Sequence, residues 1–581
     1  MNENKFGCRP QKSTVDVALA TKDFVLKSLE AGDVVALESL EVEGAFDGEW
    51  WPGIPRELRK CNCPKNLHKL TGNYFSQLTA VLSSNCIKVE KAINRGCPQG
   101  SACGPGFWNL QFNSLLGMQF MGRTNVIAYA DYLLIVTRGD SVRAEENYAN
   151  VELSKIERWS RRNKIKFNDK KSKVMLVTRR KRKEDKDITL YLHSKPQEQV
   201  RQMKYLGLIL DQKFKFQEHI KYTTERCAKL THNLSRVARL TWGLRYGAIA
   251  TIYKGAILPL LSYGAPVWIE AMRHQHNRQK LKRVQRLINL RMARAFCTTS
   301  GEAVCILTGM KPIIIKIEEI VKQHEFKEWQ PHREEYLDHD VEYRHWPHPA
   351  TAVTIKEIDT PEESTISAYT DGSKSEEGVG AGVVIYYGSN TIASLKVKLG
   401  YRCSNNQAEL LAIYKALEII NSLNKDRFNP QTAVIYTDSR VAIDSLHNIN
   451  NHSYLAEETR KMIANLDRRE WKIKFSWVKA HASIRGNETA DRIAKEVARN
   501  TDMKCDFNKI PKSTIYRKAE EEAMQKWQRD WATSQNAAAT GQYFPTIQHR
   551  ARSKIKLTPK NDSSAYGPRD DEGVLAAVPP D

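Results

Sequence analysis

The sequence predicts a multidomain chain: an α+β domain with a helical segment behind it, then a linker, then an α/β domain on a mixed five-stranded sheet. Three observations carry this. The 581 residues exceed what a single hydrophobic core supports. Up to about residue 215 short apolar runs of strand length alternate with amphipathic stretches, and helical periodicity dominates from 216 to 330. Between 366 and 500 five strand-like runs recur, with helices after the third, after the fourth and at the end.

Residues 1–215 contain the strand candidates DVVAL and VIAYA and the helical stretch ENYANVELSKIERWSRRN. The basic run VTRRKRK (177–183) lies between strand-like segments and reads as a nucleic-acid contact, an import signal or a solvated hairpin tip. In residues 216–330, segments such as LKRVQRLINLRMARAF set Lys and Arg between apolar residues, which gives helices a basic outer face suited to a duplex backbone. Residues 331–365 are Pro-rich, charged and aperiodic, and are expected to form a linker. Its histidines, including His345 and His348, have neither a cysteine nearby nor a regular frame, so no metal site is expected there. Residues 366–500 carry the strands IAYTDGS, VGAGVVIYY, TIASLKVKL, TAVIYTDS and WKIKFSWVKAH. Residues 501–581 turn polar and are expected to be a partly disordered extension.

Against 67 acidic residues stand 90 basic ones, a net charge of +23. Such a surplus points to a polyanionic partner, nucleic acid first, over a merely soluble basic protein. The 11 cysteines are scattered, which argues against a disulfide framework, and Cys61 with Cys63 lacks the second pair a zinc site needs. With no apolar leader at the N-terminus and no run of 18 apolar residues, no membrane association is expected. The expected location is intracellular, and the nucleus suits chemistry on DNA.

Four carboxylates of the 366–500 segment stand where strands and helices would hold them rigidly. Asp371 ends the first strand and Asp438 the fourth, Glu409 opens the helix NNQAELLAIYKALEII, and Asp491 lies early in the last helix. Oxygen donors in this number suit Mg²⁺ or Mn²⁺ and do not suit a zinc finger. Two such ions about 4 Å apart can activate water and stabilise a leaving oxygen, the requirements of phosphodiester hydrolysis. His481, in the loop before Asp491, stands where it can move a proton.

The segments YTDGSK, NNQAELLAIYKAL, YTDSRVAIDSL and WVKAHASIRGNETADRIAK resemble ribonuclease H, in family order and across the whole domain. The resemblance implies that Asp371, Glu409, Asp438 and Asp491 are metal ligands and that His481 is the catalytic-loop histidine. It further implies that Asn406 and Gln407 contact an RNA/DNA hybrid, whose 2′-hydroxyls identify the RNA strand.

Upstream, VVALESLEVEGAFDGEWWP, NRGCPQGSACGPGFWNLQFNSLL, IAYADYLLIV and MKYLGLILD resemble the palm of a reverse transcriptase, with AILPLLSYGAPVW thumb-like behind it. Together with the ribonuclease H segment, the wording is similar to the polyproteins of arthropod non-LTR (LINE-type, Jockey-like) retrotransposons. That resemblance implies finger, endonuclease and Cys/His-knuckle segments that are not found in these residues, hence a truncated polyprotein. It also implies that Gln99 and Gly100 face a nucleotide and that Phe46 screens the sugar 2′ position. Where the family has an aspartate in its first palm motif this chain has Glu41, and the second aspartate of the Tyr-x-Asp-Asp turn is Tyr132; Asp131 keeps its identity. A one-methylene displacement of a carboxylate approaches the ~1 Å that costs on the order of 10²-fold. A phenol with a pKa near 10 is no anionic ligand.

The expectation is therefore a ribonuclease H that hydrolyses RNA in RNA/DNA hybrids with two Mg²⁺ or Mn²⁺ ions, attached to an inactive reverse-transcriptase domain. Its partners would be RNA, DNA and their hybrid, with protein partners unspecified. One rival is an active RNA-directed DNA polymerase with ribonuclease H, and another is a non-catalytic nucleic-acid-binding relic.

Overall fold

The computed structural model describes residues 2–76, 78–84, 87–180, 187–237, 244–328, 337–347, 353–358, 366–424, 428, 431–480, 482–536 and 538–547. The chain divides into two compact units, Met1–Val321 with Met524–Asp581, and Lys322–Ala523.

In the first unit, α1 (Thr14–Glu30) starts at a capping box. The Ser13 hydroxyl accepts from the Asp16 amide, and the Asp16 carboxylate accepts from the Ser13 amide at 2.7 Å. Next comes β1 (Val34–Glu41), buried on both faces as its near-continuous apolar run requires. After it follow α2 (Gly104–Leu116), β2 (Thr124–Tyr129), β3 (Tyr132–Gly139), α3 (Val142–Asn163), β4 (Lys173–Val177) and β5 (Glu198–Gln199). The sheet order is β2-β3-β1-β4-β5. One face packs Ala36 and Leu40 against Trp108 and Phe112 of α2 and Leu153 and Ile156 of α3. The other packs Val35 and Leu37 against Val17 and Val25 of α1. Glu38 points into the first of these cores with no hydrogen-bond partner on either oxygen among the described residues. Burial holds its carboxyl well above the usual range, and Glu145 and Glu152 on α3 add to the effect.

The hairpin β6 (Gln202–Tyr205) and β7 (Leu208–Asp211) leads into helices that include α4 (Gln217–Val237) and α5 (Gln275–Ala293). The boundary expected at residue 215 is not a structural break. Cys227, Leu281, Ile288 and Ile317 share one core with Val17 and Leu37, because the apolar face of α1 needs a helical layer to cover it. Of the basic run VTRRKRK, residues 181–183 fall outside the described ones.

The second unit contains, in chain order, β8 (Leu337–Asp338), β9 (Ile366–Lys374), β10 (Val379–Tyr387), β11 (Asn390–Leu399), α6 (Asn405–Ser422) and β12 (Thr432–Thr437). Then come α7 (Arg440–His447), α8 (Tyr454–Arg468), β13 (Lys472–Trp477), α9 (Arg485–Arg499) and β14 (Ile510–Pro511). The sheet runs β11-β10-β9-β12-β13, antiparallel through β9 and parallel beyond it, the mixed five-stranded arrangement the sequence predicts. One face buries Ala368, Val383 and Ile435 against Ala412, Ile413 and Leu417 of α6. The other sets Val384 against Ile493 and Val497 of α9.

One expectation needs correction. The described parts of 331–365 are not a free linker: Ile355 joins the core, Glu357 bridges to Phe475, and Trp346 stacks on His452 with ring centroids 3.3 Å apart. Of the extension beyond residue 500, Phe507 is buried in the same core, β14 pairs parallel with β8, and a helix follows over Lys512–Ala532, while the tail expected to be disordered, residues 561–581, lies outside the described residues. Ile355 and Phe507 enter the core singly, so no periodicity announced them, whereas the helix over Lys512–Ala532 buries Ala519, Ala523, Trp527 and Trp531 at four-residue spacing, a helical signal the sequence reading passed over. No single helix among the described residues is long and apolar enough to cross a membrane, although the bent pair Tyr246–Ser262 and Ala265–Arg273 meets that requirement jointly.

Candidate functional site

The parallel register of β9 and β12 ends by pairing Thr370 with Thr437, so Asp371 follows inside β9 beside Asp438, the first residue past the end of β12. Two glycines then admit helices to this spot. A Cβ on Gly372 would lie 2.7 Å from the Glu409 amide nitrogen, so α6 docks only because residue 372 has no side chain. A Cβ on Gly382 would lie 2.2 Å from the Ala490 carbonyl oxygen, which lets α9 bring in Asp491. Carboxylate oxygens of Asp371, Glu409 and Asp438 all lie within 4.8 Å of one another. Asp491 stands outside that group: its charge acts on Asp371, and it pairs with Lys495 at 2.7 Å.

Asp371 and Glu409 are 5% and 4% exposed. Burial first, then the charges of Asp438 and Asp491, push the Asp371 carboxyl up to about 8. Burial, then Asp371 and Asp438, push Glu409 up to about 9. One Glu409 oxygen is buried without any hydrogen-bond partner among the described residues, while the other accepts from Asn405 Nδ2 at 3.2 Å. Converging acids that repel one another around an unsatisfied oxygen fit a divalent cation, whose charge and oxygen preference would satisfy both deficits.

Asp371, expected at the end of its strand, lies inside it, since β9 continues to Lys374 through its pairing with β10. His481 lies outside the described residues. Asn406 is exposed on the first turn of α6. Gln407 is a correction: it is 5% exposed and turned inward. Its Nε2 donates to Asp338 Oδ2 at 2.7 Å and to the Lys509 carbonyl at 3.0 Å, and its Oε1 accepts from the Ser404 amide at 2.8 Å. With its amide fully committed, this side chain caps the helix and does not reach for nucleic acid. The Ser-x-x-Gln spacing of a capping box was the signal that could have shown it. Sequence reasoning also missed Asn405 and Trp477, whose indole Nε1 donates to the Asp438 carbonyl at 3.0 Å.

In the first unit, the β1–β3 register sets Glu41 opposite Tyr132, and the Val42 amide donates to the Asp131 carbonyl at 3.1 Å. Burial pushes the Asp131 carboxyl up, Glu41 adds to this, and Lys5 and Lys171 oppose it. Lys171 forms an ion pair with Glu41, a partner the sequence did not suggest. Lys5 is buried behind the turn, donates to the Ala130 carbonyl at 2.9 Å, and is held down to about 7 by burial. Burial also raises the Tyr132 phenol, with Glu41 and Asp131 adding to it, so the ring stays neutral. Phe46 rests 6.4 Å from Trp108 between ring centroids, Gln99 donates to Asp47 Oδ1 at 3.3 Å, and Gly100 holds φ +86°. Beside them opens a cavity of about 300 Å³ lined by Glu43, Asp47, Arg95, Lys164 and Lys166.

Residues 1–210 match the family model for reverse transcriptase (RNA-dependent DNA polymerase), and residues 363–499 match the model for RNase H. The chain thus carries a reverse transcriptase domain followed by an RNase H domain. Its homologues are the R1 and jockey non-LTR retrotransposon polyproteins of insects. It is 30% identical over 223 residues to a retrovirus-related Pol polyprotein from the type-1 retrotransposable element R1 2 of Nasonia vitripennis, covering 37% of this chain and 54% of that protein. To the RNA-directed DNA polymerase from mobile element jockey of Drosophila melanogaster it is 24% identical over 295 residues, 49% of this chain and 31% of the relative. The chain therefore spans only part of the length of these relatives. A solved structure, LC11-RNase H1 in complex with an RNA/DNA hybrid, is similar at 21% identity, with 23% of this chain and 98% of that one covered and a TM-score of 0.20. RNase H1 from Halobacterium salinarum NRC-1 is similar at 23% identity, covering 23% and 96%, with a TM-score of 0.18.

Proposed function

We propose that the second unit is a ribonuclease H that hydrolyses the RNA strand of RNA/DNA hybrids, and that the reverse-transcriptase domain beside it no longer polymerises. The observation that carries the first half is the convergence of Asp371, Glu409 and Asp438 within 4.8 Å, two of them desolvated far from their usual ionisation range. A fold keeps such repulsion where a ligand relieves it. In this reading Asp371, Glu409, Asp438 and Asp491 would hold two Mg²⁺ or Mn²⁺ ions, which would supply Lewis-acid activation of water and of the departing oxygen. The chain's own groups do the orienting. Asn405 fixes one oxygen of Glu409, Trp477 holds the backbone that carries Asp438, and Lys495 steadies Asp491. His481 moves the proton, and Asn406 on the exposed first turn meets the hybrid backbone.

The loss of polymerisation rests on Glu41 and Tyr132. At this site the ammonium of Lys171 already neutralises Glu41, and the neighbouring position offers a neutral phenol in place of a second carboxylate. In this reading Phe46, Gln99 and Gly100 are the residues of the former nucleotide-facing loop, and the first unit serves as a platform that holds the hybrid through its basic surface.

The test is a labelled RNA/DNA hybrid incubated with the protein and Mg²⁺, beside Asp438→Asn, with primer extension run on the same sample. Cleavage that disappears in the variant, with no extension, is the expected result. Binding with neither reaction would favour the relic, and extension by the unaltered protein would restore the polymerase.

A further inference from the structure

Two segments outside the stretch that matches RNase H converge on the helix that bears Glu409. From the N-terminal side, β8 carries Asp338; from the C-terminal side, the chain after α9 carries Lys509 and β14; and β8 pairs with β14 in parallel. Both are anchored. Asp340 pairs with Lys512 at 2.7 Å and the Val341 amide donates to the His452 carbonyl at 2.8 Å. The Asp506 amide donates to the Lys398 carbonyl and the Gly400 amide to the Phe507 carbonyl, each at 2.8 Å. They meet at one side chain. Gln407 Nε2 donates to Asp338 Oδ2 at 2.7 Å and to the Lys509 carbonyl at 3.0 Å, two residues ahead of Glu409.

Starting α6 does not need these bonds. The reciprocal Ser404–Gln407 capping box already satisfies that end of the helix. Burying the Asp338 carboxyl costs free energy, and burial indeed raises it above the ordinary carboxylate range. What the two acceptors add is a fixed rotation and height for the first turn of α6, the turn that aims Glu409 at Asp371.

We infer that Asp338 and the Lys509 carbonyl are positioning groups for Glu409, forming a clasp from both flanks of the domain that sets the carboxylate cluster through Gln407. This rests on the ribonuclease H reading.

The full chain is compared with Asp338→Ala, Asp338→Asn and Gln407→Glu. Measured for each are kcat and KM on a labelled hybrid, Mg²⁺ binding by calorimetry without nucleic acid, and the melting temperature. Because ~1 Å of misplacement costs on the order of 10²-fold, Asp338→Ala should lower kcat about 10- to 100-fold and weaken Mg²⁺ binding, with KM changed less than about two-fold. Asp338→Asn, whose amide oxygen still accepts from Gln407, should stay within about two-fold of the unaltered chain. Gln407→Glu keeps the oxygen of the capping box and, once ionised, has no hydrogen to give either acceptor, so at a pH above that at which it shares a proton with Asp338 it should behave as Asp338→Ala does. That variant decides the matter if Asp338→Ala does not fold. Unchanged kcat and Mg²⁺ affinity in Gln407→Glu, or equal impairment by Ala and Asn at 338, overturns the clasp. If the unaltered chain does not cleave hybrid, the ribonuclease H reading falls, and the Mg²⁺ titrations still judge the clasp.

Discussion

Asp371 and Glu409 illustrate how a single buried charge can serve function at the expense of stability. Both carboxyls titrate higher in the folded chain than in the unfolded one. The folded state therefore gains most at low pH, and that advantage is lost as pH rises towards about 8 and about 9. Without divalent metal, Asp371→Asn should melt higher than the unaltered chain at pH 8 while abolishing hybrid cleavage. A lower melting temperature would contradict the electrostatic account. Glu38 offers the same logic away from any reaction. It and Glu145, which burial pushes up to about 7, are favoured as neutral acids in the core. As Glu145 ionises, stability of the first unit should fall between the ordinary carboxylate range and about pH 7, and Glu38→Gln should flatten the fall of stability with rising pH, read from denaturant melts across pH. At the polymerase-like turn, the double change Glu41→Asp with Tyr132→Asp tests whether only the ligands have decayed. Primer extension should appear in the double variant and in neither single one.

At the scale of elements, the site is built by register and by two glycines. The Thr370–Thr437 pairing places two aspartates side by side without any helix, and Gly372 and Gly382 admit α6 and α9. Gly372→Ala would put a methyl 2.7 Å from the Glu409 amide. Overpacking of this kind costs about 1–3 kcal/mol. The expected outcome is a folded protein with cleavage reduced at least about 10-fold, since a displaced α6 carries Glu409 with it. Much of this was legible in the sequence. The five strands, the helix that carries Glu409 and the three acids that converge, Asp371, Glu409 and Asp438, can be read from alternation, helical spacing and motif order. What could not be read were partners distant along the chain. Asp338 lies 69 residues from Gln407, and Lys171 lies 130 from Glu41. Each depends on tertiary contact and leaves no periodic trace. Gln407 was misread because motif position named a ligand contact where local helix chemistry needed a cap.

For the whole molecule, a net charge of +23 dictates how hybrid binding responds to salt. Each phosphate neutralised releases counterions, so affinity measured without divalent ions should fall steeply between about 50 and 200 mM salt. A salt-independent affinity would remove the basic surface from the binding account. The division of the chain adds a second consequence. The strand pair formed by Leu337–Asp338 and Ile510–Pro511 closes over the second unit from sequence positions that bracket the 363–499 match. A segment trimmed to that match would lack both acceptors of the Gln407 amide, so under the proposed clasp residues 363–499 alone should bind Mg²⁺ more weakly than the full chain.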